Sequence, residues 1–590
     1  MSSQRSFEAS RSTLADPTGV AHHLAVMRAL SGPGVVPNRV LTLLALGVLL
    51  LTACSSPATT KSYATDWFHA LLEASTDRGP VDANQRVSLS LVLVDPTKQR
   101  EEADLRAIYD PASPNFARFK TPSEFAAAYG PPTSEVDALR AYFGRSLDVE
   151  WQPGSRTAVV AGPAHSVEVA FAVRIHAYVS PNGVSYYASP DKSIIPTPVR
   201  GYVVDVGQVS SYKPPLVLHS VPAGGLKPTD IVAAYDMKPL RDDLQLDGAG
   251  ETVVFWSLSD GFRQSDFDLF SQQNHLPQQN VTVVGPTDNP GEGETIMDLE
   301  VVHSIAPAAR LVVYTGAFRT DEDFKAIHQH IVGDNPGAII SHSWGECERG
   351  QTADSAALTS AYDQAAQQGN TVFVSTGDSG AFGCLTNDPK ALPTSEYVGV
   401  PLPASVPGVT AVGGTHLSVR QDGSWYNEVV WMAAPETGGT GGGVSTLFAR
   451  PQWQQAPGVD NKFNPDRMRS IPDVSADADP YSGMAIYDSV NGPGQGGGTS
   501  QSAPIWAGIT ALINQYLKSK GLKPVGFLNP ALYALARGNP PFPPFHDIVV
   551  GSDLVHPATP GYDLATGLGS PDVWNLARDL EAYQRNGGRI

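Results

Sequence analysis

A glycine-rich turn that leads a serine into a helix is the strongest chemical signal in the sequence. Residues 496–498 are all glycine, Thr499 and Ser500 follow, and the apolar stretch over residues 505–516 predicts a helix. Pro504 is expected in the first turn of that helix, where a proline is tolerated. Amide groups at a helix N-terminus favour a developing alkoxide or oxyanion, so Ser500 is a candidate nucleophile. The alternative is that Ser500 serves only as a helix N-cap.

A serine hydroxyl needs a base, and two carboxylates four residues apart are the candidates. Glu294 and Asp298 lie in a segment that predicts a helix, which is stopped by Pro307. The spacing places both carboxylates on one face of the helix, where like charges repel, so their pairing has a cost that function would explain. A solvated acidic stripe is the alternative, because Glu292 and Glu300 are close in sequence.

Two further candidate segments directly follow predicted buried strands. Asp378 lies in a turn just after the apolar run at residues 371–375. The second segment follows the run at residues 338–342 and contains Ser343, Trp344 and Gly345. Active sites of open α/β sheets form at the carboxyl ends of the parallel strands, so both segments are candidates for the same site. By themselves, a Gly-Asp turn and a buried core tryptophan would be ordinary structural features.

The elements that must position these residues are strands that alternate with helices from residue 226 onwards. Short apolar runs predict the strands, at residues 252–256, 281–284, 310–314, 338–342 and 371–375. Such runs, unlike alternating ones, are typical of a parallel sheet covered by helices on both faces. Residues 85–212 instead combine an alternating strand, helices and further strands, which predicts a small antiparallel α+β domain. A chain of 590 residues has room for both units.

The N-terminal segment predicts export followed by lipid attachment. Residues 40–51 form an apolar run that is too short to span a bilayer comfortably and has the length of a signal h-region, with two arginines before it. The run leads to Cys54 through a segment that resembles the bacterial lipobox, in which the cysteine becomes the lipidated first residue. An uncleaved anchor or a chance cysteine is the alternative. Translation from Met27 would account for the unusual length of the leader.

The remaining cysteines and the overall charge limit the compartment and the partners. With Cys54 lipidated, Cys347 and Cys384 are left, which either form a disulfide in an oxidising compartment or remain two buried thiols. The formal net charge of −19 argues against nucleic acid as a partner. It is compatible with a protein that works in acid, where many carboxylates lose their charge.

The catalytic motifs resemble those of the sedolisin family, the serine-carboxyl peptidases, and are kumamolisin-like in particular. A Gly-Thr-Ser-x-x-x-Pro run such as that around Ser500 is typical of the nucleophile in subtilisin-like folds, and none of the 14 histidines lies in the glycine-rich motif of the subtilisin base. By the resemblance, Glu294 is the general base for Ser500, while Asp298 orients Glu294 and shares its proton. Asp378 matches the aspartate that takes the oxyanion-hole position of the subtilisin asparagine. A carboxylate base works best near its own pKa, so an acid optimum is implied.

The resemblance extends to the substrate strand and to the N-terminal domain. Ser343, Trp344 and Gly345 match the family's Ser-x-Ser-Trp-Gly segment, whose backbone pairs with extended substrate and whose tryptophan supports the acidic cluster. The α+β domain resembles the family's activation prodomain on three stretches, residues 109–116, 119–130 and 167–178. A ferredoxin-like fold that blocks the active site until it is removed is therefore implied.

Two loops near the C-terminus resemble the family's calcium site. The implied ligands are oxygen atoms, from the carboxylates of Asp547 and Asp563 and from the backbone carbonyls of Ile548, Thr559 and Gly561. Carboxylate and carbonyl oxygens are the donors that Ca²⁺ prefers. The family usually has glycine at the position of Thr559, where a carbonyl ligand depends on the backbone and not on the side chain.

The family pattern is broken after the first predicted strand of the peptidase domain. Many sedolisins have Glu-Leu-Gly-Gly-Gly there, whereas residues 257–261 of this chain are Ser-Leu-Ser-Asp-Gly. The glutamate that extends the carboxylate network in those relatives is therefore expected to be missing. The pH profile of this chain is expected to differ accordingly.

The sequence thus predicts an exported peptidase with a subtilisin-like α/β parallel-sheet domain, made as a precursor. Its expected parts are a lipoprotein-type signal segment (1–53), a tether (54–74), an activation prodomain (75–212), a linker with the maturation cleavage (213–225) and the peptidase domain (226–590). The expected partners are polypeptide substrates and the chain's own prodomain, an intramolecular inhibitor. A monomer is expected, reaching the membrane of the bacterial cell envelope only through the lipid of the precursor.

Three alternatives stay open. The first is tripeptidyl-peptidase action within the same family. The second is a conventional histidine-dependent subtilisin, in which Glu294→Gln would leave activity nearly intact. The third is a catalytically silent surface protein that kept the fold, which a precursor unable to process itself at low pH would favour.

Overall fold

The computed structural model describes most of the chain beyond its N-terminal segment. The described residues are 72–180, 183, 185–207, 209–211, 225–258, 260–285, 293–316, 321–349, 351–384, 397–432 and 438–589. The signal segment with Cys54 and the linker residues 212–224 lie outside them, so lipid attachment and the maturation cleavage stay predictions. Within these ranges, no helix combines the length and the apolar character needed to cross a membrane.

The first domain is an antiparallel α+β unit. Its strands are β1 (Thr76–Pro80), β2 (Arg86–Leu93), β3 (Asp148–Glu150), β4 (Thr157–Pro163), β5 (His176–Val179), β6 (Ser185–Ala188) and β7 (Val203–Val206). Its helices are α1 (Lys98–Tyr109), α2 (Pro122–Tyr129), α3 (Thr133–Phe143) and α4 (Ala164–Phe171). The strands form a four-stranded sheet in the order β3-β4-β2-β7 and a three-stranded sheet in the order β1-β5-β6. Leu89 and Leu91 of β2 pack against Phe143 of α3 and Phe171 of α4 in one buried cluster, which makes this face of the sheet the core.

The second domain is built on a large twisted sheet. Its strands are β8 (Thr252–Leu258), β9 (Thr282–Val284), β10 (Arg310–Gly316), β11 (Ile339–His342), β12 (Glu346–Cys347), β13 (Thr371–Ser375), β14 (Pro401–Leu402), β15 (Thr410–Val419), β16 (Trp425–Val430), β17 (Gly443–Ala449), β18 (Met468–Ile471), β19 (Val474–Asp477), β20 (Ala485–Asp488), β21 (Gly492–Gln495), β22 (Phe545–His546) and β23 (Ser570–Pro571). Eight of them form one sheet in the order β16-β15-β13-β11-β8-β10-β9, with β19 also paired to β15. Every pairing in this sheet is parallel except that of β15 with β16.

Eight helices of the described residues accompany this sheet. They are α5 (Pro228–Ala234), α6 (Gln264–Gln273), α7 (Glu294–Ile305), α8 (Asp321–Asp334), α9 (Thr352–Gln368), α10 (Thr499–Ser519), α11 (Asn529–Arg537) and α12 (Val573–Arg585). All residues of α7 are buried. Helix α10 approaches α7 so closely that a Cβ at Gly508 would lie 2.9 Å from the Cβ of Ile305. A glycine at this position therefore permits the close packing of the two helices.

The five predicted central strands are confirmed, with boundaries that move by at most two residues. The expected place of Pro504 is wrong. Helix α10 begins at Thr499, so Pro504 is its sixth residue and lies past the first turn. Proline has no amide hydrogen for the carbonyl four residues earlier, so the carbonyl of Ser500 loses its usual partner within the helix.

The first domain docks on helix α9 of the second. The hydroxyl of Tyr109 donates a hydrogen bond to the carbonyl of Ala366 (2.6 Å) and accepts one from the amide of Phe527 (2.8 Å). The amide of Lys120 donates to the carbonyl of Gln367 (2.9 Å), and its Nζ donates to Oε1 of the same residue (2.8 Å). These contacts fix the first domain on the second within one compact unit.

Candidate active site

Two buried carboxyl groups lie on the first turns of helix α7. Glu294 is its first residue and is 4% exposed, and Asp298 follows one turn later and is 2% exposed. Glu300, on the same helix, is completely buried as well. A solvated acidic stripe is therefore wrong, because these carboxyl groups face the interior.

Burial dominates the titration of Glu294. It raises the pKa of Glu294 well above its ordinary value, because the charged form loses its water. The charge of Asp298 raises this pKa further, and a hydrogen bond from the hydroxyl of Ser500 opposes the increase. Asp378 and Asp260 add smaller contributions that raise it. The hydroxyl of Ser500 thus lies within hydrogen-bonding reach of the Glu294 carboxyl.

Asp298 is held by the segment that follows strand β11. The hydroxyl of Ser343 donates to both carboxyl oxygens of Asp298, at 3.0 Å to Oδ1 and 3.2 Å to Oδ2. Burial raises the pKa of Asp298 well above its ordinary value, the hydrogen bond from Ser343 opposes this, and the charge of Asp260 raises it further. The indole nitrogen of Trp344 is buried and meets no acceptor in the described part of the chain, so the contact with the acid pair comes from Ser343 instead.

Ser500 is the second residue of helix α10 and is partly exposed. Its hydroxyl also points to the carbonyl of Ser343, at 3.4 Å. The carbonyl of Ser500, which Pro504 deprives of its helical partner, accepts a hydrogen bond from the Ser343 hydroxyl at the same distance. Ser343 therefore contacts both the nucleophile segment and the acid pair.

Asp378 reaches the start of the same helix from the loop after β13. Its Oδ1 accepts hydrogen bonds from the amide of Thr499 (2.8 Å) and from the Thr499 hydroxyl (2.9 Å). The amide of Gly377 donates to the same hydroxyl at 2.9 Å. A Cβ at Gly498, which has a φ of +78°, would lie 2.5 Å from Oδ2 of Asp378. The glycine before Thr499 is therefore required both by the backbone and by the close approach of this carboxyl.

Cys347 and Cys384 form a disulfide with a Cα–Cα distance of 4.7 Å. Cys347 lies just after Gly345, in strand β12, and Cys384 ends the described segment that follows Asp378. The bridge therefore ties the segment after β11 to the loop that carries Asp378.

Histidine does not take the place of the base. His342 precedes Ser343 and is 1% exposed, its Nδ1 accepts a hydrogen bond from the amide of Trp344 (3.2 Å), and burial lowers its pKa to about 3. Among the described residues, no histidine is a hydrogen-bond partner of Ser500. The geometry therefore favours the acid pair over an imidazole.

Sequence reasoning missed Asp260 as a member of the site. This carboxyl is 7% exposed, and its Oδ2 accepts a hydrogen bond from the amide of Thr295 at 2.8 Å, between the two acids of the pair. Ser257 does stand at the position of the absent glutamate, where its Oγ accepts a hydrogen bond from the Thr295 hydroxyl (2.7 Å). The expected loss of an additional acid is thus offset by a carboxyl three residues further along. An Asp-Gly pair looks like an ordinary turn, which is why it carried no signal.

The two C-terminal aspartates, Asp547 and Asp563, accept hydrogen bonds from backbone amides of the same loop, residues 559–561. Both oxygens of the Asp547 carboxylate accept the amide of Gly561, at 3.2 and 3.0 Å, and Oδ2 of Asp563 accepts the amide of Thr559 at 3.0 Å. Asp563 is 4% exposed, and burial raises its pKa to about 6. Among the described residues, its hydrogen-bond partners are backbone amides and one hydroxyl, without a cationic side chain.

A buried carboxylate whose described partners include no cationic side chain is compatible with a hard cation such as Ca²⁺. The described residues contain no cluster of three or more acidic, histidine or cysteine side chains suited to a metal ion. The ligand set implied by the resemblance has two carboxylates only, with the remaining oxygens supplied by the backbone.

Comparison with known proteins finds matches over both domains. Residues 73–212 match the model of the pro-kumamolisin activation domain, and residues 281–527 match that of the subtilase family. Kumamolisin from Bacillus sp. (strain MN-32) is 32% identical over 548 residues, which cover 85% of this chain and 93% of that protein. Tripeptidyl-peptidase 1 of Canis lupus familiaris is 26% identical, over 90% of this chain and 98% of that protein.

One solved structure is similar in sequence as well as in fold. Pseudomonas sedolisin, a serine-carboxyl proteinase complexed with two molecules of pseudo-iodotyrostatin, is 28% identical and superimposes with a TM-score of 0.53. The match covers 62% of this chain and the whole of the sedolisin chain.

Proposed function

The chain belongs to the sedolisin family of serine-carboxyl peptidases, and from this premise we propose that it hydrolyses peptide bonds at acid pH with Ser500 as its nucleophile. The convergence of Ser500 and the buried acid pair on Ser343, whose hydroxyl contacts both Asp298 and the carbonyl of Ser500, supports this proposal most directly. The first domain is its activation prodomain and the intramolecular inhibitor of the peptidase domain.

In the proposed reaction, Glu294 moves one proton twice. Its carboxylate takes the proton of the Ser500 hydroxyl as Oγ attacks the carbonyl carbon, and then gives it to the leaving amine as the peptide bond breaks. The resulting acyl-enzyme is hydrolysed by water, with Glu294 again as the base, and Ser500 is restored. Asp298 shares a proton with Glu294, since two buried carboxyl groups in contact titrate as a pair.

Asp378 is proposed to stabilise the oxyanion. Its Oδ1 is fixed by Thr499 at the start of the nucleophile helix, which leaves a proton on Oδ2 to be donated to the developing negative charge. A donor of this kind contributes about 3 to 4 kcal/mol to transition-state stabilisation. Because Asp378 donates only when it is protonated, this role also favours activity in acid.

The test of this function is self-processing of the precursor. Purified precursor incubated at about pH 4 with a denatured protein should cleave its own chain within the linker and digest the added substrate. A precursor with Ser500→Ala should stay intact under the same conditions. Sequencing of the new N-terminus and of the products identifies the cleavage sites. Processing by the Ser500→Ala variant at the wild-type rate would contradict the assignment of the nucleophile.

The same products distinguish endopeptidase from tripeptidyl-peptidase action. The similarity to tripeptidyl-peptidase 1 supports tripeptidyl-peptidase action. The similarity to kumamolisin extends over the same two domains. We propose endopeptidase action, which predicts internal fragments of many lengths. Release of tripeptides alone from the N-terminus would assign this chain to the tripeptidyl-peptidases.

Calcium is proposed to stabilise the C-terminal loop through Asp547, Asp563 and the carbonyls of Ile548, Thr559 and Gly561. Ca²⁺ at a hundredfold excess over its dissociation constant should raise the free energy of unfolding by about 2.7 kcal/mol. Asp547→Asn, which changes an exposed carboxylate, should reduce this gain. Denaturant titrations with and without Ca²⁺ measure the effect, and an equal response in both proteins would exclude Asp547 as a ligand.

Cleavage in the linker is also proposed to free the peptidase domain from the membrane, because the predicted lipid on Cys54 lies ahead of the prodomain. After processing, the active domain should therefore leave the membrane fraction while the prodomain remains there. An active domain that stays membrane-bound after separation from its prodomain would refute this.

A further inference from the structure

We propose that Asp260 is a positioning residue that caps the catalytic helix α7 and brings a third carboxyl group to its acid pair. This inference rests on the proposed function and goes beyond it, since it assigns a role to a residue outside the group that contacts substrate.

Helix α7 has no cap of its own. Its N-cap residue is Gly293, with a φ of +104° and no side chain that could accept a hydrogen bond from the first turn. The first amides of a helix have no partner within the helix, and an aspartate is among the best groups to satisfy one of them. Asp260 does so from a different part of the chain, by accepting the amide of Thr295 at 2.8 Å.

The loop after β8 holds Thr295 at two points. Besides the amide bonded to Asp260, the hydroxyl of Thr295 donates to Oγ of Ser257 at 2.7 Å. Thr295 and Ser257 are 2% and 1% exposed, so neither contact competes with solvent. Because Glu294 directly precedes Thr295, these two bonds fix the point from which the carboxyl of Glu294 reaches Ser500.

The charge of Asp260 acts on both members of the pair. It raises the pKa of Glu294 and that of Asp298, in the same direction as burial. The other groups that face the pair are Asp378 from the loop after β13, Ser500 from α10 and Ser343 from the segment after β11. Asp260 thus combines a geometric effect on the base with an electrostatic effect on its protonation.

Two substitutions separate these effects. Asp260→Asn keeps an oxygen that can accept the Thr295 amide but removes the charge, whereas Asp260→Ala removes both. Asp260→Asn should move the acid limb of the profile of kcat/KM against pH to lower pH, because less repulsion lets the pair lose its proton more easily. Its kcat at the optimum should stay within about threefold of the wild type. Asp260→Ala should in addition lower kcat about tenfold with little change in KM. The amide of Thr295 loses its acceptor in this variant, so the first turn of helix α7 no longer holds Glu294 in position.

Ser257→Ala is the matched control, because it removes the other contact of the same loop with Thr295 without changing a charge. The acid limb of its profile of kcat/KM against pH should coincide with that of the wild type. An unchanged acid limb in Asp260→Asn, or the same shift in Ser257→Ala, would overturn the electrostatic role of Asp260. An unchanged kcat in Asp260→Ala would overturn its role in positioning. Failure of the proposed function itself would appear differently, as a wild-type protein without activity or a Ser500→Ala variant that retains it.

Discussion

Replacing Glu294 by glutamine is expected to lower kcat at acid pH by about 10⁶-fold, the size of loss seen when the base that activates a serine nucleophile is removed. Glutamine has almost the same shape and still reaches the Ser500 hydroxyl, but it cannot take its proton. The precursor with Glu294→Gln should accordingly fail to process itself. Peptide hydrolysis and the appearance of the mature N-terminus measure the two outcomes.

The same helix offers a matched control in Glu300→Gln. Glu300 is as buried as Glu294 and lies on the same helix, but its described hydrogen bond is to the amide of Tyr487 (2.9 Å). Glutamine can accept that bond, so Glu300→Gln should keep activity near the wild-type level. Activity retained by Glu294→Gln would identify a histidine-dependent enzyme, and equal losses in both variants would point to damage of the helix instead of loss of the base.

The sequence predicted the fold through short apolar segments that alternate with helical ones, a pattern typical of a parallel sheet. Short apolar runs such as residues 371–375 fit a strand buried on both faces, and the structure places them in the parallel sheet. Glu294 and Asp298 became candidates because two acids on one helical face repel each other, but a solvated stripe explained the spacing equally well until the resemblance was considered. The roles of these residues came from the family resemblance and not from spacing alone.

Other features of the site depend on contacts between distant segments and could not be predicted. Asp260 lies 35 positions in sequence from Thr295, whose amide it accepts. The residues next to Asp260 in the sequence do not indicate this contact. Ser343 was expected to supply backbone for substrate, yet its hydroxyl also joins Asp298 to the carbonyl of Ser500. That carbonyl needs a partner only because Pro504 lies deeper in the helix than the sequence indicated.

The second large effect is on the free energy of unfolding. It follows from buried groups whose pKa values are shifted in opposite directions. Burial raises the pKa of Glu300 and Asp477 well above their ordinary values, as it does for the catalytic pair. Their contribution to stability is complete below the unfolded pKa of about 4 and is lost as pH rises towards the folded pKa. Burial lowers the pKa of His342 to about 3 and that of His328 well below its ordinary value. Their contribution is complete above about pH 6.5 and is lost as pH falls.

The opposite pH dependences of the carboxyl groups and the histidines predict a protein whose free energy of unfolding is highest in weak acid and decreases most steeply above neutral pH. Each such group changes the free energy of unfolding by about 1.4 kcal/mol per pH unit within its window. Between about pH 4.5 and 6.5 the two histidines offset part of the loss caused by the four carboxyl groups, whereas above 6.5 this opposing contribution of the histidines ends. Urea unfolding of the Ser500→Ala protein, which cannot digest itself, should therefore show a gradual loss of stability up to about pH 6.5 and a steeper loss above it.

Glu300→Gln in the same background isolates one carboxyl group. Glutamine does not ionise in the unfolded chain, so the variant should match the parent below about pH 4 and exceed it by about 1.4 kcal/mol for each pH unit above that, until the folded pKa of Glu300 is reached. Urea midpoints at pH 5, 7 and 8 measure this difference. A difference that stays constant with pH would mean that Glu300 is ionised in the folded protein, and the buried acids of helix α7 would then need a cationic partner that is not among their contacts with the described residues.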